Sequence, residues 1–399
     1  MYIKGGLDFM VKVIKKQKKI VKKIITNKKG IKKSSKVIRR KTKKSIKTLK
    51  LVRSTHNPII DPRSYAWESQ AVLNPAAIYL DGRVHLFYRA LGNDGVSRIG
   101  YASSKNGIDF DERLSYPIYF VENAEEILKH WPFTSPARPV YDTILYASGG
   151  GWGGCEDPRA VLIDGYVYMT FNVFNGWDSM RVAVISIKEK NLLNKKWIWE
   201  NFKYLSRPGD RQKNWVLFPE KFDGKFAIFH NLDLGDSSRV HIAYVNELDM
   251  WKTPSQKEAP DVQTLPDHIV AWHKRTRSAA APPIKTKDGW LLLYHAIDKD
   301  NPSIGYKLGA LLLDLEDPRK VLYRAQHPIL EPNTWYENDW KPGIIYASGA
   351  IVKNGRLFVY YGGGDKHIGV ASIMLLTLLE SMKKNGAVKL KKSRSLDLE

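Results

Sequence analysis

The sequence has one cysteine, Cys155. No internal disulfide can form, and no all-cysteine metal site can be built. That fits a reducing compartment or a fold that needs no covalent staples. No run of about 18 apolar residues occurs, so no helix is expected to span a membrane. No uninterrupted apolar stretch follows the first lysines, so no secretory signal is expected. The ten histidines show neither HExxH nor paired spacing, and no metal site is expected. Acidic residues are almost missing from the first 50 positions, where Asp8 faces 20 Lys and Arg. The other 349 residues hold 44 basic and 40 acidic side chains. The net charge of +23 therefore belongs to a tail, and a whole-chain nucleic-acid reading fails.

What is present suits a folded body. The 399 residues are 43% hydrophobic and include 12 Trp and 20 Tyr, which is ample for a core and unlike a disordered chain. Two parts are expected: a cationic tail over 1–50, disordered or amphipathic-helical, and a globular body over 51–399. Within the tail, FMVKVIKKQKKIVKKII (9–25) sets Met10, Val13, Ile14, Ile20, Val21, Ile24 and Ile25 close to helical spacing. The plainest reading is a solvated extension. A helix of this kind can also lie on an anionic membrane surface. Phosphate-mediated nucleic-acid contact would carry no sequence readout, and no specific nucleic-acid partner is expected. The location expected is cytoplasmic, with peripheral association at the inner membrane face as the tail's second reading.

From residue 71 an apolar stretch, a tight turn and an alternating aromatic strand recur. The copies are NPAAIYLDGRVHLFYRA (74–90), EDPRAVLIDGYVYMTFNVF (156–174), LFPEKFDGKFAIFHN (217–231), PPIKTKDGWLLLYHAI (282–297) and SGAIVKNGRLFVYYGGG (348–364). Their turn glycines, Gly82, Gly165, Gly224, Gly289 and Gly355, are spaced 83, 59, 65 and 66 residues apart. Asp-Gly and Asn-Gly between alternating apolar residues are strong hairpin signals. Further strands follow at 98–110, 181–187, 239–251, 307–315 and 367–376. The fold expected is all-β, a five-bladed β-propeller with the first strand of each blade lining a central funnel. A β-sandwich is the runner-up. Helical periodicity outside the tail is confined to about 375–385. The glycine-rich SGGGWGG (148–154) has no Gly-Lys-Ser/Thr ending and is read as a pocket rim or lid rather than a P-loop.

The repeats open on polar residues with no evident place in a core: Asn74, Glu156-Asp157-Pro158-Arg159, Pro219-Glu220-Lys221 and Asp365. Carboxylates converging on one funnel suit general acid/base work on a sugar, and cations there suit an anion such as phosphate. Trp152, Trp215, Trp272, Trp335, Tyr336 and Trp340 are candidates to stack on sugar rings.

These motifs, in this order, resemble glycoside hydrolase family 130 over about residues 55–376. The family comprises β-mannoside phosphorylases with some hydrolases, and related sequences include β-mannosyltransferases. The resemblance implies a five-bladed propeller and an inverting mechanism in which Asp157 is the general acid. Asp157 would protonate the glycosidic oxygen through a sugar hydroxyl while phosphate attacks the opposite face of the mannosyl carbon. Asn74, Arg89 and Asp365 match residues that hold the mannosyl unit. His295 and Tyr306 match residues near the mannosyl and phosphate sites. The second Glu-Asp-Pro-Arg, at 316–319, matches a turn, and Asp317 is read as structural. Three phosphate-site positions depart from the phosphorylase pattern of two arginines and a lysine: they fall at Lys213, Asn231 and Thr276, with Arg275 and Arg277 on either side of the last. No cofactor is implied beyond inorganic phosphate as co-substrate. Three functions follow from the residues and the resemblance: a β-mannoside phosphorylase or hydrolase acting on an oligosaccharide, a membrane-associated mannosyltransferase using an activated donor, and a non-catalytic carbohydrate-binding propeller. For hydrolysis, Asp365 and Glu220 are the candidate bases.

Overall fold

Four of the five Asp-Gly or Asn-Gly pairs take positive φ at both positions: Asp81–Gly82, Asp164–Gly165, Asp223–Gly224 and Asn354–Gly355. That backbone twist matches the twist of flanking strands and demands Gly or a short polar side chain. The fifth pair differs. Asp288 is not in the left-handed region and Gly289 has φ 142°. There the Thr286 hydroxyl closes the turn, donating to the Gly289 carbonyl and accepting from the Asp288 N–H.

A computed structural model describes residues 49–121, 151, 153–175, 180–209, 212–233, 238–250, 272–298 and 306–385, without the side chains of 231–233, 238–241, 274–277, 298 and 385. The tail expected over 1–50 thus lies outside the described residues but for its last two. So does most of the segment read as a lid.

The described residues are mostly strand, with few helices. The first unit holds β2 (Ala71–Leu80), β3 (Arg83–Leu91), β4 (Val96–Ser104) and β5 (Glu112–Arg113). The second holds β6 (Gly153–Ile163), β7 (Tyr166–Asn175), β8 (Arg181–Lys188) and β9 (Glu200–Tyr204). The third is β10 (Val216–Phe222), β11 (Lys225–Asp233) and β12 (Ser238–Val245). The fourth holds β13 (His273–Ala279), β14 (Ile284–Thr286), β15 (Gly289–Asp298), β16 (Tyr306–Leu313) and β17 (Val321–Arg324). The fifth holds β18 (Ile345–Lys353), β19 (Arg356–Gly363) and β20 (His367–Met374), and its outer strand is β1 (Val52–Arg53), paired antiparallel to β20. Two helices are short: α1 (Glu189–Leu193) and α2 (Leu375–Asn385). Each unit is antiparallel within itself. The first two units join into one sheet where Val96 and Ser97 pair in parallel with Gly153 and Gly154.

The core divides into five larger clusters, each shared by two units. Phe87 and Ile99 meet Met169 and Ile185. Val182 and Val184 meet Trp215 and Ile228. Phe218 and Phe229 meet Trp290 and Leu292. Leu291 and Leu293 meet Leu357 and Val359. Phe358 and Tyr360 then meet Leu86 and Tyr88, which joins the fifth unit to the first. Buried aromatic and aliphatic side chains of this size stabilise by roughly 1.5–3 kcal/mol each, so these seams dominate the fold's stability.

The outer parts of three units reuse one device. A tyrosine ring lies over a glycine of the next strand, at 2.3–2.8 Å from where a β-carbon would be: Tyr88 over Gly100, Tyr294 over Gly309 and Tyr361 over Gly369. In the first unit, Glu68 takes the Tyr88 hydroxyl and the Arg113 guanidinium at 2.9 and 2.6 Å. In the fifth, Glu337 takes the Tyr361 hydroxyl at 2.9 Å and Arg53 through both oxygens at 2.7 and 2.9 Å. Because Arg53 belongs to β1, this ion pair ties the start of the body to its last unit. In the fourth unit Arg324 stands 5.3 Å from the Tyr294 ring.

Candidate functional site

Each first strand carries an irregularity in its pairing with the next strand. Pairing shifts between Leu73 and Ala76 in β2, Glu156 and Arg159 in β6, Leu217 and Lys221 in β10, Thr276 and Ser278 in β13, and Ala347 and Gly349 in β18. A bulge re-aims a side chain out of the ladder. In β2 and β6 the bulge residue precedes a proline, and Asn74 and Asp157 have φ 47° and 51°. Asn and Asp tolerate the left-handed region better than other non-glycine residues. The chain thereby turns both side chains to one point, and the Asn74 amide donates to Asp157 Oδ1 at 2.7 Å.

Arg89 of β3 completes this cluster. It donates to Glu156 Oε1 at 2.9 Å, to Ser97 Oγ at 3.0 Å and, more loosely, to Asp157 Oδ1 at 3.4 Å. Asp365, also left-handed at φ 54°, sits in the β19–β20 turn, where Lys341 pairs with it at 3.2 Å. The Asp365 charge acts on Arg89 as well, so Arg89 feels Glu156, Asp157 and Asp365, which together outweigh its burial and raise its pKa. Glycines pack closely on the other side of Arg89. A β-carbon on Gly151 would meet the guanidinium at 2.8 Å and Ser97 Oγ at 2.9 Å, and Gly154, at φ 100°, packs on the Ser97 backbone. The described end of SGGGWGG is therefore the wall behind Arg89, with Trp152 outside the described residues.

Arg159 binds from below. It donates to the Asp157 carbonyl at 2.8 Å, to Asn214 Oδ1 at 3.1 Å and to the Tyr346 hydroxyl at 3.2 Å. Tyr346 stacks on His295 at 4.0 Å with 15° between planes. The Ala347 N–H donates to His295 Nε2 at 2.9 Å, so that nitrogen is unprotonated and Nδ1 carries the proton toward Ser278 Oγ at 3.2 Å. His295 is fully buried and serves as a neutral backing for Tyr346. Tyr306 lies 5.8 Å from Tyr346, edge to face.

Burial alone would raise the pKa of Asp157. Arg89 and Arg159, the Asn74 amide and Lys213 outweigh it, and the carboxyl is held below its ordinary value. A folded-state pKa below the unfolded one adds stability that is present above the unfolded value and lost as pH falls through the folded one. The difference in unfolding free energy between wild type and Asp157→Asn should therefore move against wild type as pH drops below about 3.8. Denaturant unfolding at pH 5 and pH 3 checks this, and a difference that ignores pH would refute it.

Asn74, Arg89, Asp157 and Asp365 are thus brought together. Lys213 is half-buried and its charge reaches Asp157. Asn231 lies on β11, and Arg275, Thr276 and Arg277 lie on β13, but their side chains are outside the described residues. Glu220 gives both carboxylate oxygens to Lys285 at 2.7 and 2.8 Å, not to the Asp157 cluster. Asp317 caps its own turn, accepting from Arg319 at 2.7 Å. Among the aromatics, Trp215 and Tyr336 are core, 1% and 3% exposed, because their rings fill the seams between units, whereas Trp335 is 64% exposed. Sequence reasoning missed Tyr346, Asn214, Ser97 and Lys341. Tyr346, Asn214 and Ser97 are revealed only in three dimensions as acceptors for Arg159 and Arg89, and Lys341 only as the partner of Asp365. Among the described residues no group of three or more His, Cys, Asp and Glu is placed to hold a metal ion.

The cluster offers a polyhydroxylated ring a carboxylate pair and an amide, and offers an anion several cations. The profile of glycoside hydrolase family 130, described as beta-1,4-mannooligosaccharide phosphorylase, matches residues 141–384. A 1,2-beta-oligomannan phosphorylase of Thermoanaerobacter sp. (strain X514) is 36% identical over 335 residues, covering 81% of this chain and 97% of that protein. A beta-1,2-mannobiose phosphorylase of the same organism is 34% identical over 340 residues, with the same coverage. The solved beta-1,2-mannobiose phosphorylase of Listeria innocua, in complex with beta-1,2-mannobiose, shares the fold at TM-score 0.61 and 22% identity, covering 84% of this chain and 99% of that one. The chain belongs to glycoside hydrolase family 130 and is an enzyme of that family.

Proposed function

We propose that the protein is an inverting β-mannoside phosphorylase on a five-bladed β-propeller, with Asp157 as general acid and β-1,2-linked mannooligosaccharide as substrate. The observation that carries it is the buried meeting of Asp157 with Asn74, Arg89 and, through the shared field, Asp365. Five antiparallel units, core seams that pass from each to the next and back to the first, and β1 pairing with β20 support the propeller. The linkage rests on the names of the two Thermoanaerobacter relatives.

Asn74, Arg89 and Asp365 hold the mannosyl hydroxyls. A phosphate oxygen attacks the anomeric carbon from the face opposite the leaving group. The C–O bond breaks, the departing oxygen takes a proton from a sugar hydroxyl, and Asp157 replaces that proton. Mannose 1-phosphate of inverted configuration leaves. In the free protein Asp157 is ionised, so it must gain its proton as substrate binds. Expelled water and an anion that neutralises Lys213 and the arginines both push its pKa upward. Phosphate brings its own nucleophilic oxygen, whereas hydrolysis needs a carboxylate to activate water. Here Asp365 is paired with Lys341, Glu156 with Arg89 and Glu220 with Lys285, which favours phosphorolysis.

The test is incubation with β-1,2-mannobiose and β-1,4-mannobiose, with and without inorganic phosphate, and separately with GDP-mannose. Mannose 1-phosphate should form from the β-1,2 disaccharide only when phosphate is present. Mannose release that ignores phosphate would make the enzyme a hydrolase, and transfer from GDP-mannose alone would make it a transferase.

A further inference from the structure

Trp335 is a large apolar side chain left in water. It opens the 3-10 turn Trp335–Glu337, and its indole is 64% exposed although its two neighbours in that turn are buried. Two rings pack against it. Tyr336 meets it edge-on at 5.7 Å and 88°, and His367 at 5.4 Å and 71°. The buried Glu337 anchors the turn by accepting from the backbone of Asn333 and Thr334 at 2.7 and 3.0 Å.

The turn lies against the segment that carries Asp365. The Tyr336 carbonyl is so close to Gly363 and Gly364 that a β-carbon on either would meet it at 3.0 Å. The Lys341 N–H donates to the Gly364 carbonyl at 3.0 Å, and Lys341 also pairs with Asp365. Two carboxylates flank His367, the ring that packs against the indole. His367 holds Asp61 at 2.6 Å through Nδ1 and Asp339 at 3.0 Å through Nε2, and the side chains of Asp61 and Asp339 remain 54% and 33% exposed.

An exposed aromatic face near partly exposed carboxylates suits a pyranose. The ring's C–H face packs on the indole, and its hydroxyls donate to the carboxylates. We infer that Trp335, with Asp61 and Asp339, receives a sugar unit of the oligosaccharide beyond the two flanking the bond that breaks, and so sets a preference for longer chains. This rests on the mannoside reading. Asp157, Asn74 and Arg89 serve the reacting unit, and Trp335 stands at the rim of the Asp365 turn, outside that buried cluster.

The test compares wild type, Trp335→Ala and Trp335→Phe on β-1,2-mannobiose and on β-1,2-mannooligosaccharides of three to five units, with phosphate. The alanine variant should lose about tenfold in kcat/KM on the longer substrates, through KM, and change less than about twofold on mannobiose; tenfold corresponds to about 1.4 kcal/mol. Phenylalanine should restore most of the loss, which a merely structural role would not produce. An active wild type whose alanine variant keeps the same length preference overturns the assignment. A wild type inert on every β-mannoside removes the functional reading, and this assignment with it.

Discussion

Asparagine in place of Asp157 is expected to lower phosphorolysis of β-mannoside by roughly 10²–10⁴-fold, the range that a positioned acid contributes. The substitution keeps the shape of the bulge and an oxygen for the Asn74 amide, so the fold should persist. What it removes is the proton and the negative charge. KM should change much less than kcat, because Asn74, Arg89 and Asp365 still hold the sugar. Steady-state kinetics with phosphate, alongside circular dichroism, decides the matter. Turnover within threefold of wild type would take the acid's role from Asp157.

The largest effect on stability is expected away from the reacting carbon, at Glu337. Its carboxylate is fully buried and accepts from Arg53 twice, from the Tyr361 hydroxyl and from two backbone N–H groups. Truncation to alanine leaves the Arg53 charge, a hydroxyl and two amides without their acceptor. Removing one partner of a buried ion pair costs about 3–5 kcal/mol. For a body of this size that is a drop of about 5 °C in melting temperature. Arg53 lies on β1, so the loss should appear as loosening where β1 meets β20, readable as faster amide exchange at Ser54, whose N–H donates to the Val370 carbonyl at the end of that pairing. A melting temperature within a degree of wild type would mean that the pair adds nothing. Glu68, which does the same for Tyr88 and Arg113 in the first unit, is the natural comparison.

Much of this molecule is written locally. Asp81-Gly82 and Asn354-Gly355 can be read as tight hairpin turns because left-handed backbone selects those residue types whatever surrounds them. The Asp-Gly pair at Gly289 predicts the same form, and the turn takes another, since the Thr286 hydroxyl offers the backbone a competing hydrogen bond. Asn74 and Asp157 stand out in the sequence because a polar residue before proline, inside an apolar strand, has no ordinary place there. Tyr346 looks like any strand aromatic, and its hydrogen bond from Arg159 spans 187 residues. Lys341 gives no sign of Asp365 until two loops are zipped together. The tryptophans divide on the same ground: Trp215 and Trp335 are alike as letters, and only packing buries one and leaves the other in water.

Strand pattern, turn chemistry and a charged tail set apart from a neutral body are consequences of near-neighbour sterics and composition, and the chain alone determines them. The ionisation of Asp157 belongs to the tertiary structure. Arg159 stands two residues away on the same strand, but Arg89 and Lys213 arrive from other parts of the chain, and electrostatic energy is set by distance through space, which the order of residues does not encode.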